Sequence, residues 1–196
     1  MGTDDRAAPM NGRATGRRGF LTFAAATLTA MAVPAVMPAA PAMAAPLAGG
    51  VRRIALHNVN TNEQFSGVYW ADGAYKADAL RKLDVLLRDH RAKQVCRFDP
   101  RLFDLLSRVH QAVDSDEPFR IICGFRSKRT NAVARRRSRG VAKQSYHTRG
   151  MAVDVRLPDV ELSAIADAAQ ELELGGVGYY PRSGFVHLDV GPVRSW

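Results

Sequence analysis

The sequence predicts an α+β domain, and three observations carry that prediction. Two stretches repeat apolar residues at helical spacing near the middle of the chain. Two short segments close to the C-terminus alternate apolar and polar residues with a period of two. Glycine, proline and polar turns separate these segments at intervals too short for long helices or a repeat array. About 150 of the 196 residues follow the N-terminal segment discussed below, enough for one domain with a sizeable core.

In chain order, Ile54–Asn58 and Phe65–Trp70 read as short strands joined by the turn-forming run Asn58-Val59-Asn60-Thr61-Asn62. From Lys76 to His90, Leu80, Leu83, Leu86 and Leu87 fall on one helical face. Pro100 opens a second helix, whose stripe is Leu102, Leu105, Leu106, Val109 and Val113. Both stripes read as core. His57, His90 and His110 lie outside these patterns and are expected at the surface. Phe119–Cys123 reads as a strand entering the turn Gly124-Phe125-Arg126-Ser127, followed by a basic helix from about Thr130 to Arg137. Glu161–Leu172 is an amphipathic helix after the break at Pro158. Gly175–Pro181 is a glycine-aromatic strand, joined through Arg182-Ser183-Gly184 to a last strand in a hairpin. The expected architecture is a small antiparallel sheet with helices packed against it and a polar site on its exposed face. No internal repeat is present.

The alternating segments contain the chemistry. In His147-Thr-Arg-Gly-Met-Ala-Val-Asp154, Met151, Val153 and Val155 alternate with Ala152, Asp154 and Arg156. This puts Asp154 on the face opposite an apolar stripe. In the second segment Val186, Leu188 and Val190 point inward, while Phe185, His187 and Asp189 share the other face. His147 sits just before its strand in a polar turn. Two imidazoles and a carboxylate are a three-ligand zinc set with a position left for water, and Asp189 is a spare carboxylate beside the last ligand.

The N-terminus reads as an address. Gly16-Arg17-Arg18-Gly19-Phe20-Leu21 precedes an alanine-rich apolar stretch and an Ala42-Met43-Ala44 cleavage box, the pattern of a twin-arginine export signal over residues 1–44. Pro34 and Pro38 interrupt the stretch, so no stable membrane insertion is expected after cleavage. Residues 45–53 read as a flexible leader and residues 54–196 as the single domain. The formal charge is +9, of which the first 44 residues contribute four arginines against two aspartates. Export to the periplasm removes nucleic acid as a partner and offers peptidoglycan, with its carboxylate-bearing peptides, or anionic lipid. Arg135, Arg136, Arg137 and Arg139 concentrate this charge, either as a solvated helix end or as a substrate-contacting patch. Cys96 and Cys123 are compatible with one disulfide or with two free thiols.

Taken in order, Gly124-Phe125-Arg126-Ser127, Ser145-x-His147-x6-Asp154, Gly176-x-Gly178-x-Tyr180 and Phe185-Val186-His187-x-Asp189 resemble the exported murein endopeptidase K group of the LAS zinc peptidases. That superfamily unites lysostaphin-type enzymes, D-Ala-D-Ala metallopeptidases and the hedgehog signalling domain. The resemblance runs from about Ile54 to Trp196. It implies a hedgehog/D-Ala-D-Ala-peptidase-like fold and one zinc ion held by His147, Asp154 and His187. It also implies Arg126 facing the scissile carbonyl, and cleavage of amide bonds in peptidoglycan stem peptides or cross-links, as a murein D,D- or L,D-endopeptidase or a carboxypeptidase acting in cell-wall remodelling. Many D-Ala-D-Ala metallopeptidases carry a glutamate three residues before the last histidine, where this chain has Gly184. Asp189 then stands as the catalytic base, or alternatively as a carboxylate that orients His187. Tyr146, Tyr179 and Tyr180 are candidates for lining a peptide groove. The alternative function is a non-catalytic, zinc-stabilised module that binds peptidoglycan or another anionic envelope polymer.

Overall fold

The computed structural model describes residues 50–138 and 140–196. The export signal expected over residues 1–44, most of the leader and Arg139 therefore lie outside the described residues.

Among the described residues thirteen elements follow one another: β1 (Arg52–Asn58), β2 (Gln64–Ala71), β3 (Ala74–Tyr75), α1 (Ala77–Leu86), α2 (Arg101–Ala112), β4 (Phe119–Cys123), α3 (Lys128–Arg137), a 3-10 turn (Tyr146–Arg149), β5 (Ala152–Arg156), α4 (Leu162–Glu171), β6 (Gly176–Tyr180), β7 (Phe185–Asp189) and β8 (Arg194–Ser195). The α+β class matches the sequence reading; the sheet does not. Instead of a small antiparallel sheet, one eight-stranded mixed sheet runs in the order β3-β2-β1-β4-β5-β7-β6-β8. The N-terminal hairpin joins the site-bearing strands through a parallel pairing of β1 with β4, and β8 adds to β6 in parallel.

Alternation sets which side of each strand is dry. Val153 and Val155 of β5 stand opposite Leu188 and Val186 of β7, and all four are fully buried. They join Leu56, Phe119, Ile121 and Ile165 in one apolar core. Helix α2 contributes Leu102, Leu105, Leu106 and Val109, all buried, and packs on β1 and α4. Burying each of these side chains stabilises the fold by about 1.5–3 kcal/mol. Among the described residues no helix is long and apolar enough to cross a membrane.

Two boundaries differ from the sequence reading for identifiable reasons. Strand β1 begins at Arg52, within the expected leader, because the Arg52 guanidinium lies 4.2 Å over the Trp70 ring and binds Asp104 at 2.8 Å. Helix α1 stops at Leu86, not His90. Its last carbonyls are taken by other parts of the chain: Asn58 Nδ2 donates to Leu86 O at 2.7 Å, and the Phe125 amide donates to Leu87 O at 2.7 Å. The apolar period continues to Leu87, which is buried, but burial there belongs to a turn. That last bond ties the end of α1 to the segment that carries Arg126.

Candidate metal centre

Cross-strand pairing assembles the site. Cys123 pairs with Asp154, Asp154 with His187, and His187 with Gly178. Directly paired residues point to the same face, so these four positions form one row across β4, β5, β7 and β6. A second row on that face runs through Ala152, Asp189, Gly176 and Arg194. The 3-10 turn brings His147 over the first row, and Gly150 closes that turn in the left-handed conformation at φ 66°.

His147 Nε2, His187 Nδ1 and Asp154 Oδ1 form a triangle with sides of 3.1, 2.9 and 3.1 Å. Tetrahedral zinc with bonds of about 2.0–2.2 Å separates its ligands by roughly 3.4 Å, so this donor set fits such an ion with a slight opening. The tautomers agree. His147 Nδ1 donates to Gly124 O at 2.8 Å, and His187 Nε2 donates to Asp189 Oδ2 at 2.9 Å. The nitrogen lone pairs left over converge on the third donor, Asp154. Burial opposes charge on both partners, yet the Asp154 carboxylate pushes the His147 imidazole up, and the imidazoles hold Asp154 well below the usual carboxylate range.

The polar face was expected to be exposed. Instead His147, Asp154, His187 and Asp189 are 1, 6, 8 and 0% exposed. The segment between α3 and the 3-10 turn covers the face from one side and the Tyr180–Trp196 corner from the other. Between them lies a cleft of about 540 Å³ with His147, Asp154 and His187 in its lining.

Asp189 lies on the far side of the His187 ring from Asp154. Burial works against its charge, but bonds from His187 and Arg194 outweigh this and pull its carboxyl down to about 2. Arg194 forks onto both oxygens at 3.1 and 2.6 Å, and the amides of Gly176 and Gly191 donate to Oδ1 at 3.3 and 2.8 Å. Every strong acceptor direction of this carboxylate is thus engaged, and none opens on the cleft.

Arg126 lines the cleft. Its guanidinium donates to Ser145 Oγ at 3.1 Å, its amide to His147 O at 3.2 Å, and it has no carboxylate partner among the described residues. The buried Nε has no partner either. Tyr146 and Tyr180 line the cleft as expected, whereas Tyr179 is exposed elsewhere. Tyr180 stacks on Phe185 with ring centres 4.8 Å apart and accepts a bond from Trp196 Nε1 at 2.7 Å. Trp196 in turn lies 5.4 Å from the His187 ring. This accounts for the Gly-x-Gly-x-Tyr motif: Gly176 and Gly178 are the site-face positions of β6. A side chain at Gly176 would strike Arg194 and the Asp189 carboxylate, and one at Gly178 would strike the Trp196 ring.

Sequence reading missed two participants. Cys123 offers a sulfur within 4.8 Å of donor atoms of His147 and Asp154, and both cysteines are free thiols. Only the register of β4 against β5, which shifts between Ile121 and Cys123, reveals it. Arg194, which forks onto Asp189, lies in no pattern or spacing that the sequence offers. His57, His90 and His110 are half-buried rather than exposed, and none lines the cleft.

The chain is similar to known proteins over most of its length. The family model described as peptidoglycan L,D-endopeptidase MepK matches residues 46–196. The probable peptidoglycan L,D-endopeptidase MepK of Haemophilus influenzae is 44% identical over 146 residues, covering 74% of this chain and 78% of that protein. The peptidoglycan L,D-endopeptidase MepK of Escherichia coli K12 is 44% identical over 145 residues, covering 74% of this chain and 80% of its own length, and the Shigella flexneri protein gives the same figures.

Proposed function

We propose, from the premise that this chain belongs to the peptidoglycan L,D-endopeptidase MepK family, that it hydrolyses an L,D amide bond in peptidoglycan peptides with one zinc ion. The observation that carries the reading is the buried triangle of His147, Asp154 and His187 at the cleft. Those three residues would hold the metal. Zinc, when bound there, supplies Lewis acidity toward the scissile carbonyl and toward water.

The chain's own residues do the rest. Arg126, with no carboxylate partner among the described residues and lining the same cleft, is positioned to stabilise negative charge growing on the carbonyl oxygen. Asp189 serves the second of the two roles left open for it. By accepting a hydrogen bond from His187 Nε2–H it fixes the tautomer that frees Nδ1, and its bonds to Arg194 keep it ionised while it does so. Tyr146 and Tyr180 form part of the wall against which a peptide lies. Export by the twin-arginine signal to the periplasm supplies the substrate, and the D-Ala-D-Ala-peptidase-like and hedgehog-like kinship of the fold belongs to the same proposal.

Cys123 favours a second reading. A thiolate added to the triangle would make a closed four-ligand site, and closed zinc sites are structural. This would be the non-catalytic module. Incubating purified sacculi with the protein, with and without a chelator, separates the two. Chelator-sensitive release of muropeptides is expected; tightly bound zinc with no release would sink the endopeptidase reading.

A further inference from the structure

We propose that α3 is a rail that holds the carboxylate-rich peptidoglycan polymer beside the cleft, so that substrate capture and bond cleavage use different parts of the molecule. The proposal rests on the peptidoglycan reading above, and it starts from a helix that the fold does not explain. The sequence of α3, Lys128-Arg-Thr-Asn-Ala-Val-Ala-Arg-Arg-Arg137, holds five cations and no acid. Lys128, Arg129, Arg135, Arg136 and Arg137 are all exposed, and none makes an ion pair with a described residue.

The helix's own electrostatics account for only part of this. Arginines in the last turn complement the negative end of the helix dipole, but Lys128 and Arg129 occupy the first turn, where the dipole disfavours cations. Packing does not account for it either. Only Asn131 is buried, and the helix is fastened by polar pins: Ser127 Oγ accepts from the Thr130 amide at 3.1 Å, and Asn131 Nδ2 donates to Ala142 O at 3.1 Å. A helix with five exposed cations and no acid of its own presents a concentrated positive charge, which attracts an anionic partner.

Its position says what. Arg137 leads directly into the segment whose Ser138, Gly140, Val141 and Ala142 line the cleft, and the Asn131–Ala142 bond ties the helix to that wall. Ten helical residues extend about 15 Å, a cationic track ending at the cleft mouth. A polymer bearing carboxylates at intervals suits this track. A lipid surface does not, because Ala132, Val133 and Ala134 give the helix nothing bulky to insert between acyl chains.

The test uses the full protein stripped of metal, so that binding is read without cleavage. Purified sacculi are co-sedimented with the parent and with the Arg135→Gln, Arg136→Gln, Arg137→Gln triple variant between about 50 and 300 mM salt. The variant is expected to bind about tenfold more weakly at low salt and to lose most of the salt dependence. With metal restored, its cleavage of a short soluble peptide with amidated carboxylates stays within about twofold of the parent. Equal sacculus affinity for the two proteins overturns the proposal. So does a variant that loses binding to phosphatidylglycerol vesicles while keeping its binding to sacculi. A parent that binds sacculi through α3 but cuts no muropeptide sinks the endopeptidase reading and leaves this one standing.

Discussion

Two carboxylates, at opposite ends of the sheet, are built alike and used differently. Asp104 of α2 accepts from Arg52 at 2.8 Å, Tyr69 OH at 2.9 Å and Tyr75 OH at 2.6 Å. It ties a helix to β1, β2 and β3. Asp189 of β7 accepts from Arg194, two backbone amides and His187. In both cases an arginine neutralises a carboxylate that would otherwise be costly to cover. The difference lies in the remaining partner. A tyrosine hydroxyl ends its network, with burial and Asp104 pushing the Tyr75 hydroxyl up to about 12. An imidazole has a second nitrogen, and here that nitrogen faces the donor triangle. The same arrangement is therefore a fastening at one end of the sheet and a support for the proposed metal centre at the other.

The largest expected effect tests this distinction directly. Asp189→Asn should weaken zinc binding about 10- to 100-fold, while Asp104→Asn should leave it unchanged, as measured by competition with a chromophoric chelator. Equal losses in the two variants would mean that both aspartates act through general stability, and the distinction would collapse. Next, Asp104→Asn should lower the unfolding free energy by about 1–2 kcal/mol in urea titrations, because a half-buried carboxylate with three hydrogen bonds is replaced by a group that cannot accept all three.

A third test uses acid. The Asp189 carboxyl lies at about 2 in the folded protein against an ordinary value of 3.8. A depressed folded value means the contribution is complete above about pH 4 and disappears as the pH falls through about 2, on the order of 2 kcal/mol in all. The stability gap between parent and Asp189→Asn, measured without metal, should therefore shrink from pH 6 to pH 2. A gap independent of pH would show that ionisation of Asp189 contributes nothing. The smallest effect is expected from Arg194→Lys, which keeps the charge but not the two-pronged contact. Zinc affinity should fall only about two- to fivefold, by the same competition assay.

Much of this was legible in the sequence where a period exists to be read. The α2 stripe and the alternation in β5 and β7 mark one face of each element as apolar core, and Leu102, Leu105, Leu106, Val109, Val153, Val155, Val186 and Leu188 are buried there, while Val113 and Met151 are half-buried. Asp154, His187 and Asp189 fall on one face because that face is what the apolar positions leave over. Features without a period were not legible. Strands β3 and β8 are two residues each, too short for any pattern. The β1–β4 pairing joins segments separated by both α1 and α2, and nothing local announces it. Cys123 enters the first row only through a shifted register. The orientation of Asp189 around the His187 ring is a rotamer outcome: spacing placed the two side chains together but did not say which imidazole nitrogen the carboxylate would meet. Burial of the site was missed because its cover comes from loops.

The row Cys123–Asp154–His187–Gly178 makes the apolar core a ruler for the chemistry. A slip of β7 by a single position against β5 would turn His187 into the core and bring Val186 or Leu188 to the cleft. The register is held by the fit of Val153, Val155, Val186 and Leu188 on the reverse side, none of which touches a substrate. The spacing of the three donors is therefore calibrated by hydrocarbon, and a conservative repacking of those four residues would detune the proposed metal centre without altering any of its donors.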